Sequence, residues 1–304
     1  MGRDTIRVTK SRQRERIDGG DANDGAARRF NFFGALGVPA VAFMVVVVVI
    51  PIGMILVQSM TNPGPVNYAT ASESGIFRRS VWATLKMSFI VTVLCIVIGY
   101  PYAYVLARST PRLRSILLIA LMFSFWTSLM VRTYAWQLIL NDTGAVNTFL
   151  IDVGLIDEPV HMIRTSFAVY LGMTHVLLPF AILPLYAQLK TIKPEVEQAA
   201  QSLGARQSKV FFSITLPLTL PGAIGAGVLV FVLALGFYIT PQVLGGARNS
   251  YIGTVIVQRI QILLDTGVGS AMAAITLAIV LTILIVTSRL VDIRTMLGIK
   301  QGNR

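Results

Sequence analysis

The chain has 304 residues, with 26 lysines and arginines against 14 aspartates and glutamates, for a net charge of +12 at pH 7. Hydrophobic residues make up 54% and charged residues only 13%, and mean hydropathy is +0.70, whereas about a quarter of an ordinary soluble domain is charged. These values exclude a soluble globular protein and predict an all-α polytopic membrane protein. The basic excess is spread along the edges of the apolar segments, so it argues for membrane orientation and against nucleic-acid binding.

In chain order, residues 1–31 form a basic tail rich in Arg, Asp and Gly, expected to be disordered or to lie on anionic lipid. Residues 32–304 form the membrane body. Six apolar segments follow: Phe32 to Val57, Val81 to Ala107, Ser115 to Leu140, Ser166 to Gln188, Leu216 to Ile239 and Val268 to Ser288. Each meets the length of about 20 residues that a helical span requires. The first is too long for the core of a signal peptide and is expected to remain as an anchor.

Lysine and arginine set the orientation. The tail carries eight of them between Arg3 and Arg29, and the turn after the second span carries Arg108, Arg112 and Arg114 with no acid. Lys190, Lys193, Arg206 and Lys209 follow the fourth span, and Arg289, Arg294, Lys300 and Arg304 follow the sixth. Both termini are therefore expected to be cytoplasmic. The segment from Asn141 to Thr165 holds Asp142, Asp152, Asp157 and Glu158 against Arg164, as an outer loop would. Arg78 and Arg79 break the pattern, since they fall on the outer side. Ile76, Phe77 and Trp82 around them suggest a segment in the membrane interface.

Chemistry is absent where an enzyme or a self-powered pump would show it. There is no Gly-x-x-x-x-Gly-Lys-Ser/Thr phosphate loop, and His161 and His175 are the only histidines. No zinc site, nucleophilic triad or cofactor motif can be assembled. An ion-coupled carrier commonly keeps a carboxylate near the bilayer midplane, and no Asp or Glu falls inside a span. Arg132 is the one deep-looking charge, and its expected partners are backbone carbonyls or Asp142. Cys95 is the only cysteine and lies within the second span, so no intrachain disulfide forms.

The most informative passage is the connection from 189 to 215. Pro194 suits the first position of a helix, with Glu195 and Glu197 at the positive end of its dipole. Val196, Ala199, Ala200 and Leu203 recur on one narrow apolar face, while Glu197, Gln198, Gln201 and Ser202 point elsewhere. Gly204 can take the left-handed conformation that ends the helix. Such a small apolar knob fits a socket on another protein. The alternative, a helix resting on lipid headgroups, would bury little area through its two alanines.

The run Gln198-Ala199-Ala200-Gln201-Ser202-Leu203-Gly204, with Ile214-Thr215-Leu216-Pro217 beyond it, resembles the cytoplasmic signature loop of bacterial ABC importer permeases. Gln198 stands where that family usually has Glu, and Glu197 precedes it. Three further passages resemble the first permease subunit of spermidine/putrescine importers: Gly99 to Tyr104, Phe125 to Trp136, and Gly236 to Gly246. The resemblance implies a type I ABC importer permease fold and half of a translocation pore. It also implies a cytoplasmic ABC ATPase dimer, a second permease subunit and an external solute-binding protein as partners. ATP hydrolysis would belong to the partner, with no cofactor in this chain. Glu197, Gln198, Ala199, Ala200, Leu203, Gly204, Ile214, Leu216 and Pro217 would contact the ATPase.

For the substrate path, the expectation is the aromatic and polar set Trp126, Tyr134, Trp136, Asp142, Tyr238 and Gln242. Aromatic faces and a carboxylate attract ammonium groups, although a belt of Trp and Tyr at the bilayer surface has the same sequence appearance. Polyamine is the first substrate expectation, and an opine, amino-acid derivative or other small organic solute the second. Gly222 with Ala226 and Ala223 with Gly227 give spacings that allow close helix approach, whether static or pivoting.

Overall fold

Long apolar runs fold here into helices, because a backbone in hydrocarbon must satisfy its own hydrogen bonds. The computed structural model describes residues 37–61, 63–246 and 250–290; the basic tail expected at 1–31 lies outside them. The chain divides into two compact units, Met1–Val57 and Gln58–Arg304. The described part of the first unit is a continuous apolar helix, α1, which spans Gly37–Thr61 and ends just inside the second unit.

The second unit is built on three long helices: α3 (Gly75–Arg108), α7 (Ser166–Thr191) and α10 (Leu216–Gly236), each packed against the other two. Their meeting faces are small or smooth. Met87, Val91 and Cys95 of α3 interlock with Ala168, Met173 and Leu177 of α7 and with Val230 and Ala234 of α10. A second cluster toward the Arg108 end joins Ala103 and Leu106 to Ile182, Leu185 and Leu189 and to Ala223 and Ala226. Gly99 sets the α3–α7 approach: a Cβ there would lie 3.3 Å from Ile182. Ala223 and Ala226 are thus used for packing within the chain itself.

The third apolar segment, expected as one span from Ser115 to Leu140, is broken. Helix α4 (Pro111–Trp126) and helix α5 (Leu129–Ile139) meet at 94° across Thr127 and Ser128. Both residues adopt extended ψ angles, and the Thr127 hydroxyl donates to the Phe123 carbonyl. Short hydroxyl side chains compete for backbone partners in this way and weaken a helix. Periodicity and hydropathy do not register such a break. With the bent pair taken as one span, the described residues give six spans, and otherwise five.

Short elements fill the two ends. Helix α2 (Val66–Glu73) and α12 (Ile252–Val257) pack on α13 (Thr266–Leu290) through Ala71, Ile252, Val268 and Met272. Helix α6 (Ala145–Asp152) lies in the loop before α7, and α11 (Ile239–Leu244) packs against α5 and α7. Helix α8 (Pro194–Ser202) and α9 (Gln207–Val210) lie between α7 and α10, and α9 runs into α10 through a π-helical turn at Phe211–Thr215.

Candidate functional site

Helix α8 begins at Pro194 with Glu195 and Glu197 in its first turn. It stops in a Schellman arrangement: the Gly204 amide donates to Gln201 and the Ala205 amide to Ala200, at 2.9 and 3.1 Å. Gly204 has φ +84 and open space around it, so glycine is needed there for backbone conformation and not for room.

The structure then separates two sides of this helix. Glu197 faces inward and is 8% exposed. Arg108, the last residue of α3, grips its carboxylate in bidentate fashion, with Nε to Oε2 at 3.0 Å and Nη2 to Oε1 at 2.8 Å. Thr215, in the π turn, donates its hydroxyl to Oε1 at 2.8 Å. Thr219 donates to the Thr215 carbonyl and bonds Tyr100 of α3, while Phe211 stacks edge-on with both Tyr100 and Tyr104. One carboxylate therefore ties α8 to the ends of two spans. Burial opposes its charge, but the bonds from Arg108 and Thr215 outweigh burial and hold the Glu197 carboxyl below its ordinary range.

The opposite side is open. Along and just after α8, Val196, Gln198, Ala199 and Leu203 are exposed and Ala200 is half-buried, with Leu203 reaching 90% exposure; farther along the chain Pro217 is exposed and Ile214 and Leu216 are half-buried. Phe212 is a further exposed apolar side chain near them in sequence. The sequence placed Val196, Ala199, Ala200 and Leu203 on one face; it did not reveal that Glu197 would be the residue buried against the chain. A carboxylate one position before Gln198 was visible, but its partner lies 89 residues away in sequence.

The six residues expected along the substrate path fall on α4, on α5, on the segment between α5 and α6, and at α11. Trp126 sits at the α4–α5 break and is 90% exposed. Tyr134 is exposed on α5, while Trp136 turns inward and donates its indole N–H to His175 Nδ1 at 3.0 Å. Asp142 lies in the segment between α5 and α6 with both carboxylate oxygens 2.9 Å from His161 Nδ1. Tyr238 and Gln242 are exposed at α11, which is fixed to α5 by the buried contact of Thr133 with Thr240. The expected pairing of Arg132 with Asp142 is not formed. Arg132 instead donates to Ser124 across the break, because the bend brings α4 back toward α5.

A groove of about 610 Å³ opens between α7, α10 and α13, lined by Pro184, Gln188, Thr191, Gly222, Gly225 and Leu284 among others. None of the six expected path residues lines it. Gly222 faces Gln188 there, so closely that a Cβ would collide with that flexible side chain.

Several helices long and apolar enough to cross a membrane, one of them broken, with a short helix that presents apolar residues outside the bundle, define a membrane-embedded transport subunit. The family of binding-protein-dependent transport system inner membrane components matches residues 99–293, and the chain belongs to that family. The spermidine/putrescine transport system permease protein PotB of Haemophilus influenzae is 37% identical over 210 residues, covering 69% of this chain and 73% of that protein. The PotB protein of Escherichia coli K12 is also 37% identical, over 66% of this chain and 73% of its own length. Among solved structures, the bacterial alginate ABC transporter in complex with its alginate pentasaccharide-bound periplasmic protein has a chain of the same fold. That chain has TM-score 0.72 and 16% identity, with 88% of this chain and 96% of that one covered. The MetNI methionine ABC transporter gives TM-score 0.56 at 19% identity, over 71% and 94%.

Proposed function

We propose that this permease forms half of the pore of an ATP-driven importer for small organic cations such as putrescine and spermidine. The observation that carries the substrate is the 37% identity to spermidine/putrescine permeases over two thirds of the chain. In this reading a cytoplasmic ATPase dimer docks on the open side of α8. A second permease completes the pore, and an external binding protein delivers the solute. The groove between α7, α10 and α13, with its small residues and the half-buried amide of Gln188, is where the two permeases would face each other.

Uptake by the assembled transporter with its own binding protein tests the substrate. Labelled putrescine or spermidine should accumulate with ATP, and unlabelled neutral or anionic solutes should not compete. Asp142→Asn keeps size and hydrogen bonding while removing a charge at the outer loop, where its pair with His161 is exposed. It should lower dication uptake about two- to fivefold, as an exposed charge contact would, with membrane abundance unchanged. Transport of an anion and of no polyamine would leave the permease assignment standing and end the polyamine one.

The same proposal places the α8 side in the cytoplasm and the Asn141 to Thr165 loop outside. Cys95 is buried and free, so its replacement by alanine gives a silent background. A cysteine introduced at Thr148 should then react with an impermeant thiol reagent in intact cells, and one at Ser202 should not. Labelling at Ser202 alone would invert the topology.

A further inference from the structure

Arg78 and Arg79 are the residues that break the charge bias of the sequence, and in the structure they meet a third cation. With Lys86 they line an open pocket of about 410 Å³ whose walls include Trp82, Tyr170 and Tyr251. All three cations are exposed. The ion pairs among the described residues are Arg108 with Glu197, His161 with Asp142 and Arg259 with Asp265, so no carboxylate neutralises this cluster.

The pocket continues into a stripe of different character. At about 100° per residue, Arg78, Trp82, Lys86, Phe89, Val93 and Val97 fall on one face of α3. Trp82 is 71% exposed, and Phe89, Val93 and Val97 are exposed below it. From Lys86 to Val97 the stripe runs about 16 Å along the helix axis, roughly half the thickness of a bilayer core. The face is therefore cationic at one end, where Tyr170 and Tyr251 join the pocket wall, and apolar along the rest of its length. A soluble anion would use only the first part, and an acidic protein surface could not follow the stripe along a span.

We propose that this face of α3 binds an anionic phospholipid, at the end of the helix opposite the Arg108 clamp. Its phosphodiester headgroup sits among Arg78, Arg79 and Lys86, with the Tyr170 hydroxyl on the pocket wall as a further donor, and an acyl chain lies along Phe89, Val93 and Val97. Trp82 occupies the interfacial level where an indole is favoured. Lys86, the deepest of the three, extends its stem along the apolar stripe and its ammonium toward the headgroup. The site is independent of the transported solute.

Native mass spectrometry of the full-length protein, with phosphatidylglycerol or phosphatidylcholine added in mild detergent, reads the retained lipid directly. Wild type should retain phosphatidylglycerol with about tenfold or greater preference. Each single change, Arg78→Gln, Arg79→Gln or Lys86→Gln, should weaken retention about fivefold, and the triple variant should hold one lipid fewer per chain. Arg79→Lys should keep the lipid, and water-soluble glycerophosphate should compete only weakly. Equal retention of the two lipids by wild type would overturn the proposal without reference to any variant. So would unchanged retention by the triple variant, or glycerophosphate binding as tight as the lipid. Loss of binding-protein association by the triple variant with lipid retention intact would assign the cluster to a protein partner and overturn it equally.

Discussion

Leu203→Asp is expected to abolish ATP-driven uptake while leaving the protein in the membrane at wild-type abundance. Leu203 is 90% exposed at the end of α8, so the chain's own packing does not need it. Buried in a partner's socket, a leucine contributes about 1.5–3 kcal/mol, and an unpaired carboxylate in its place costs more again. A loss of 3 kcal/mol already exceeds a hundredfold in affinity. The ATPase should therefore fail to co-purify with the variant, and solute-stimulated ATP hydrolysis in proteoliposomes should fall to background. Gly204→Val tests the same surface by another route. At φ +84 a β-branched residue is strained by more than the 1–2 kcal/mol usual for left-handed backbone, which disturbs the turn that aims α8. Gln198→Glu, on the exposed side, should change uptake little. Near-normal transport by Leu203→Asp at matched abundance would remove α8 from the coupling surface.

Much of the scaffold was legible because membrane spans announce themselves by length and hydropathy, and because Pro194 and Gly204 bracket α8 with rules that act within a few residues. The orientation of α8 was not legible. Its amphipathic pattern identifies an apolar face, but whether that face turns toward the chain or away depends on Glu197 finding Arg108 and Thr215, which is a tertiary fact. The break at Thr127 and Ser128 was hidden for a related reason: the residues on both sides are apolar enough to continue a span, and only the backbone conformation of two hydroxyl residues interrupts it. That break also divides the residues expected along the substrate path between separate elements. The aromatic run from Phe125 to Trp136 is unbroken in sequence, but a bend of 94° divides it between α4 and α5, with Trp126 exposed and Trp136 turned inward to His175. Arg78 and Arg79 stood out as an exception to the charge rule, and proximity to Lys86, Tyr170 and Tyr251 required the fold.

The second large effect is expected at the clamp that holds α8. Arg108→Ala should lower protein stability by about 2–4 kcal/mol, and Glu197→Ala by a similar amount. The side chains retain 19% and 10% exposure, so the pair lies between surface ion pairs, which contribute under about 1 kcal/mol, and fully buried ones, whose disruption costs about 3–5 kcal/mol. The loss comes from the partner left behind as much as from the contact itself. Arg108→Met combined with Glu197→Leu should therefore recover most of the stability, since no buried charge is left unpaired. Uptake should not recover with it, because the bidentate pair and the Thr215 bond hold α8 to the spans and so help fix the direction in which Leu203 points. The pH dependence follows from the lowered Glu197 value. A carboxyl depressed in the folded state contributes its stability fully above its ordinary value of 4.5 and loses it as pH falls through the lower folded value. Thermal unfolding in detergent should accordingly show wild type losing stability below about pH 4.5 more steeply than Glu197→Gln. If the two proteins respond to acid in parallel, or if the apolar double variant transports normally, the clamp is packing alone and α8 is aimed by the Gly204 turn.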